Sequence, residues 1–169
     1  MVGWIGPFVA PAARERPALR ALQSDMLRIL RYTWPLPWTL VGLSVAGLVR
    51  LLGGRWQCRS GALEAHGGWL AWLCQRLPAV VQFDAITLGH VIIGRDARTL
   101  DVVRAHEHVH LRQYERWGAL FVPAYLGASL WQWARGARPY RDNPFEREAY
   151  ASAPMRTAPP VCANTMKVE

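Results

Sequence analysis

"RAHEHVHLRQYERWG", residues 104–118, places three histidines within five positions, and its reading decides what kind of domain this chain forms. His106, Glu107 and His110 spell H-E-x-x-H, with His108 between the outer pair. On a helix, residues four apart project from one face, here about 40° apart around the axis at about 100° per residue. Two imidazoles so placed can reach one zinc ion. Glu107 falls beside that ion rather than on it, where its carboxylate can accept a proton from a water and return it. His108 points about 160° away from His110 and cannot join the pair.

The flanking pattern supports a helix. Val102, His106, Val109, His110 and Gln113 share one stripe, which should face the core. The helix is predicted to run from near Thr99 to Gly118, a glycine suited to the C′ position. Upstream, "FDAITLGHVIIGRD" (83–96) is rich in β-branched residues and bounded by Asp and Gly, which predicts a strand over 85–93. "GALEAHGG" (61–68) alternates as a short strand ending at a Gly-Gly turn, and "GWLAWLCQRL" (68–77) reads as an apolar helix stopped by Pro78. Downstream, an apolar helix is expected over 119–135 with Pro123 in its first turns, followed by the loop "RPYRDNP". Asn143 as N-cap and Pro144 at N1 then open a short helix to about Ser152.

A catalytic zinc needs a third protein ligand and an open position for water. No histidine follows at the spacing H-E-x-x-H-x-x-G-x-x-H, so the candidates are Glu115, Asp142, Glu146 and Glu148. Glu115 lies on the same helix and faces away from the pair, which leaves "DNPFEREAY". Glu146 also has a purely structural reading. Counted from an Asn143 N-cap it is N3, the place of a capping-box glutamate. That reading would pass the ligand role to Glu148 or to no residue. Gln113, one turn beyond His110, is either a hydrogen-bonding support for that histidine or a half-buried helix amide. His90 either faces a cleft beside the helix or is an edge or core histidine. His66 and the tryptophans read as packing or interface residues.

On these residues the chain resembles the gluzincin type of zinc metallopeptidase, over about 85–152. In those families H-E-x-x-H lies on one helix and a glutamate on a later helix completes the site, within strings such as E-x-x-A-D or E-x-E-A-N. The matching string here is Glu146-Arg147-Glu148-Ala149-Tyr150. The resemblance implies Zn²⁺ held by His106, His110 and Glu146, with Glu107 as general base and Ala149 packed against the first helix. Tyr150 departs from the pattern, standing where those families often carry Asp or Asn. A tyrosine can hydrogen-bond a ligand histidine but brings no negative charge.

Half of the 169 residues are apolar and 19% are charged, greasier than an ordinary soluble domain. The net charge is +8, almost all of it arginine, with Lys167 the sole lysine. No nucleic-acid-binding module is present, and the basic residues are scattered or flank apolar runs, which points to a membrane surface and away from nucleic acid. Tyr32 to Val49 is an uncharged run of 18 residues, preceded by Arg28 and Arg31 and containing Trp34 and Trp38 near its start. It reads as a membrane anchor or in-plane helix. A start at Met26 with "SVA" at 44–46 would instead resemble a signal peptide, and a buried core helix is the third reading. Trp117 to Ala134 is a second uncharged run of 18 residues. If it crossed a bilayer, His106 and Glu146 would lie on opposite sides, so it is expected to pack on the active-site helix. Cys58, Cys74 and Cys162 form neither a disulfide framework nor a zinc pair.

The expected fold class is α+β: a small zincin-like domain, mostly helical with a short sheet, plus an N-terminal membrane-associating helix. Its expected layout is a flexible 1–25, an apolar helix within 26–55, the metal-binding domain over 56–152 and a flexible tail 153–169. The expected function is zinc-dependent hydrolysis of a peptide or protein substrate at a membrane, a bacterial inner membrane by this reading, with the cytoplasm as the alternative. Tyr125, Tyr140 and Tyr150 are the candidate oxyanion donors. The rival function is a non-enzymatic membrane-associated scaffold or binding protein that keeps zinc for structure.

Overall fold

The computed structural model describes residues 17–76 and 83–153. In chain order the elements are α1 (Pro17–Thr33), α2 (Leu36–Leu51), β1 (Arg55–Arg59), β2 (Ala62–His66), α3 (Trp69–Arg76), β3 (Ala85–Leu88), β4 (Val91–Gly94) and α4 (Ala97–Trp117). A short 3-10 turn (Gly118–Leu120) then leads into α5 (Phe121–Ala134), and α6 (Pro144–Ser152) closes the described chain. The fold is mixed α+β, with helices around one four-stranded sheet in the order β1-β2-β4-β3.

Two tight turns shape the sheet. Ser60 and Gly61 take φ of 50° and 83°, the left-handed pair that joins β1 to β2 as a two-residue hairpin. The stretch expected as one strand over 85–93 is instead a second hairpin. Gly89 (φ 61°) turns the chain, Leu88 pairs with Val91, and β3 becomes the sheet edge. The run of β-branched residues gave no hint of the reversal; the single glycine inside it marks the place. His90 therefore sits on a turn rather than within a strand.

Side-chain alternation in β4 splits the core into two layers. Val91 and Ile93 pack with Ala46 and Val49 of α2, while Ile92 packs on the other face with Leu100 and Leu111 of α4. Approach on the α2 side is close. A Cβ at Gly42 would lie 2.8 Å from both the Leu88 carbonyl oxygen and the Val91 Cβ, so α2 rests its backbone on the β3–β4 hairpin.

The apolar segment within 26–55 lays one face on the sheet. It is not one helix: the chain breaks at Trp34-Pro35, where proline disfavours continuation. The inner face of α2 buries Gly42, Ala46 and Val49 against the sheet, while Leu36, Leu40, Leu43 and Leu48 remain exposed on the outside. Among the described residues no single helix is long and apolar enough to cross a membrane. Leu22–Thr33 and Leu36–Leu51 pass that test only as a pair, bent by 54°. Helix α1 starts at Pro17, ahead of the boundary expected at 26. Residues 1–16 and 154–169, with Cys162, and the segment 77–82, with Pro78, lie outside the described residues.

Helix α4 is fixed at both ends and in the middle. The Asp96 carboxylate accepts from the Thr99 amide at 2.8 Å, starting the helix two residues before the expected Thr99. Gly118 (φ 58°) ends it, and the Trp34 ring occupies the space where a side chain at 118 would project. Between them, fully buried Glu64 of β2 accepts from Arg104 Nε at 2.6 Å and Nη2 at 3.1 Å, and from Gln57 Nε2 at 2.9 Å. Burial pushes the Glu64 carboxyl up, but these donors outweigh it and hold its pKa below the usual carboxylate value. A depressed folded-state pKa gives stability that is present above the unfolded pKa and lost as pH falls through the folded one. Glu64→Gln should therefore cost about 3 kcal/mol or less at pH 7, because Arg104 loses its buried partner. The gap from wild type should close on acidification below about pH 4.5, as read by denaturant unfolding at a series of pH values.

Candidate metal centre

Three buried residues of α4 form the group: His106 and His110 turn to α6, and Glu107 turns to edge strand β3. His106 Nε2 and His110 Nε2 stand 3.1 Å apart. The fourth participant comes from α6, and the way α6 is started decides where it points. Asn143 is the N-cap: its Oδ1 accepts from the Phe145 amide at 3.0 Å, and its Nδ2 donates to Tyr125 O at 3.0 Å and Ser129 Oγ at 2.8 Å. The Asn143 amide, which a capping-box glutamate would need, donates to Tyr140 O at 3.1 Å. Glu146 is thereby released from the capping role and turns to α4. Its Oε2 lies 3.3 Å from His106 Nε2 and its Oε1 3.2 Å from His110 Nε2, and Tyr125 Oη donates to Oε1 at 2.8 Å.

The donor set fits a small cation. His106, His110 and Glu146 are all buried, with one ligand atom from each lying within 4.8 Å of the others. A tetrahedral metal with bonds of about 2.0–2.1 Å spaces its ligand atoms about 3.3 Å apart. His106 Nε2 and His110 Nε2, 3.1 Å apart, match that edge, and the two Glu146 oxygens divide between the rings, Oε2 3.3 Å from His106 and Oε1 3.2 Å from His110. Glu146 Oε2 is buried with no hydrogen-bond partner, which is costly unless a cation compensates it.

Electrostatics point the same way. Burial works to raise the Glu146 carboxyl, yet His106 and His110 hold it far below the usual range. Burial works to lower His110, and Glu146, Glu107 and Gln113 together reverse it, so the ring is held above its ordinary value. The pocket is built to keep an anion beside positive charge. Glu107 is different: burial dominates and pushes its carboxyl up, against the pull of His110 and a hydrogen bond from Thr87. Thr87 Oγ1, on edge strand β3, donates to Glu107 Oε2 at 2.7 Å. Both carboxylates and His110 open on one cavity of about 350 Å³ whose walls include Thr87, Tyr125 and Tyr140 among mostly apolar residues.

Behind the ligands, Gln113 is a support rather than a free amide. His110 Nδ1 is 2.9 Å from Gln113 Oε1, and Gln113 Nε2 donates to Glu148 Oε2 at 2.9 Å and to Phe145 O at 3.0 Å. Glu148 thus acts on His110 through an amide, and it also accepts from Arg116 at 3.2 Å. Tyr150 does not supply the missing acid. Its ring packs on His106 at 4.6 Å, and His106 Nδ1 has no hydrogen-bond partner.

The remaining sequence candidates go elsewhere. His108 lines a groove with Asp101, Arg104 and Arg112. His90 stacks on Tyr32 at 4.6 Å and faces Glu115, which pairs with Arg31 at 2.6 Å. Asp142 pairs with Arg138 at 3.0 Å. Sequence reasoning missed Thr87 as the partner of Glu107. Its only trace was a hydroxyl residue placed in an otherwise apolar strand. It also missed Tyr125 as the partner of Glu146, because the two are 21 positions apart. The chain matches no protein-family model, no curated protein and no solved structure.

The two glutamates of α6 should separate cleanly under zinc titration against a competing chelator. Glu146→Ala should weaken zinc affinity by orders of magnitude, since a direct donor is lost. Glu148→Ala should weaken it about 10-fold to 100-fold, through the slackened Gln113–His110 bond. Equal effects would mean that the order of the two glutamates is wrong.

Proposed function

We propose that this protein is a zinc-dependent hydrolase of peptides or related amides, of the gluzincin type that the sequence resembles. One observation carries the reading: two buried imidazole nitrogens and a carboxylate converge within reach of one ion, and His110, Glu146 and a second, proton-accepting carboxylate line one cavity. A set of two histidines and a glutamate suits zinc. No fourth His, Cys, Asp or Glu joins the group among the described residues, which favours an open, catalytic position over a closed structural site.

Zinc bound here would supply a lowered pKa for water and polarise a carbonyl oxygen. The chain supplies the rest. His106, His110 and Glu146 would hold the ion, and Gln113 fixes the ring of His110. Thr87 occupies Glu107 Oε2 and leaves the other carboxylate oxygen for the water. Glu107 accepts one proton of that water as its oxygen bonds to the carbonyl carbon. It then delivers the proton to the leaving nitrogen as the C–N bond breaks. Burial, by raising the carboxyl pKa, suits Glu107 to holding the proton between these steps. Tyr125 and Tyr140 line the cavity and Tyr150 does not, so the first two are the candidates for a developing oxyanion, Tyr125 on giving up its bond to Glu146 Oε1. The apolar walls, Trp38, Ile86, Val122 and Leu126 among them, favour apolar side chains beside the scissile bond.

The decisive comparison is wild type against Glu107→Gln on a quenched-fluorescence peptide library. The variant should bind zinc as wild type does and turn over about 10²- to 10⁴-fold more slowly. Undiminished cleavage by the variant would end the proposed mechanism. Zinc with four protein ligands, together with no cleavage by either protein, would establish the non-enzymatic scaffold instead.

A further inference from the structure

Helix α5 is tied to α6 through Tyr125 and Ser129 but leaves much of its surface uncovered. Phe121 alone of its residues is buried. Val122, Leu126, Leu130 and Trp133 follow one another at i, i+4, i+8 and i+11 and so form one stripe along the helix. Leu126, Leu130 and Trp133 are 59%, 63% and 66% exposed, and no charged residue interrupts Phe121–Ala134. A continuous exposed stripe of this kind marks an interaction surface.

Two further features say what covers it. The first is the cavity. Val122 and Leu126 are part of its wall, facing Trp38 of α2 and half-exposed Ile86 of β3. The lip of the cavity thus runs without a break into Leu130 and Trp133. The second is charge. Arg135, Arg138 and Arg141 follow the helix directly, and Arg138, Arg141 and Arg147 line one groove with Tyr150. Asp142, next to Arg141, is committed to Arg138. Arg135 lies over the Trp131 ring at 5.8 Å from its centroid. An apolar stripe with tryptophans near its end, closed by guanidiniums, matches the acyl boundary and anionic headgroups of a lipid surface. At 14 residues α5 is about 21 Å long, short of the roughly 30 Å of a hydrocarbon core. Lying flat, it keeps α4 and α6 on one side and the metal centre intact.

We propose that the α5 stripe and the arginines after it dock this protein in the plane of an anionic membrane, with the cavity mouth facing lipid. The substrate class that follows is a peptide segment lying at or in that membrane. This second half rests on the hydrolase reading; the docking does not.

The test uses the full chain, zinc-loaded, in flotation with vesicles of pure phosphatidylcholine or of phosphatidylcholine with phosphatidylglycerol. Wild type should float at least 10-fold more strongly with the anionic vesicles. Leu130→Glu/Trp133→Glu should lose flotation with both compositions, and Arg138→Glu/Arg141→Glu should lose the anionic advantage alone, with zinc content unchanged throughout. Flotation of Leu130→Glu/Trp133→Glu equal to wild type would overturn the docking. So would a wild-type dimer, seen by light scattering, that this variant splits while vesicle binding stays the same. The substrate arm compares one peptide sequence free in solution and lipid-anchored on the vesicles. Leu130→Glu/Trp133→Glu should lower kcat/KM at least 10-fold for the anchored peptide only; an equal fall on both would overturn lipid-side access. Normal docking with no turnover of either peptide would leave the surface standing and remove the hydrolase.

Discussion

A buried carboxylate set between two imidazole edges is the constraint around which this structure is arranged. Glu146 is 2% exposed, and one of its oxygens has no hydrogen-bond partner. A carboxylate in such a place is costly unless positive charge or a cation meets it. Everything that positions α6 works to put it there. Asn143 caps the helix and ties it to α5 through Tyr125 O and Ser129 Oγ. Gln113 of α4 binds the backbone of Phe145 and the carboxylate of Glu148. Ala149 is fully buried, which lets the helices approach closely. Separately these are modest polar contacts. Together they leave Glu146 one direction in which to point.

The sheet serves the same centre from the other side. Its two faces are divided between α2 and α4 by the alternation of Val91, Ile92 and Ile93, and the Glu64–Arg104 pair pins α4 at mid-length. Edge strand β3 then runs past the helix and delivers the Thr87 hydroxyl to Glu107. The two acids of the site are thus tuned in opposite directions by what surrounds them. Glu146 is held ionised by histidines, while Glu107 is pushed towards the neutral acid by burial. Such a split between neighbouring carboxyls lets one hold charge and the other carry a proton. The proposed division of labour between ligand and base rests on that contrast.

Apolar surface is distributed unevenly for a chain of this size. Helix α2 spends one face on the sheet and leaves the other outside, and α5 leaves Leu126, Leu130, Trp131 and Trp133 exposed. Neither helix alone is long and apolar enough to cross a membrane. The break at Trp34-Pro35 and the packing of Gly42 on the hairpin explain why the first apolar run folds back onto the sheet.

By itself the sequence determined the local elements and the pair of histidines. A 3.6-residue period fixes which side chains of a helix share a face, so His106 and His110 together, and His108 apart, followed from spacing alone. Caps are equally local: Asn143-Pro144 and Gly118 marked helix ends where the structure has them. Sequence could not choose between Glu146 as cap and Glu146 as site residue, because both are consistent with position N3. The choice lay partly in the turn before the helix, where Tyr140 O takes the Asn143 amide, and partly in the histidines of α4 that the glutamate meets. Thr87 on Glu107, Tyr125 on Glu146 and Glu148 acting through Gln113 are contacts between elements far apart in the chain. The β3–β4 reversal and the packing of α2 were also tertiary decisions. An apolar run reads alike as strand, anchor or core helix until the surface that covers it is known.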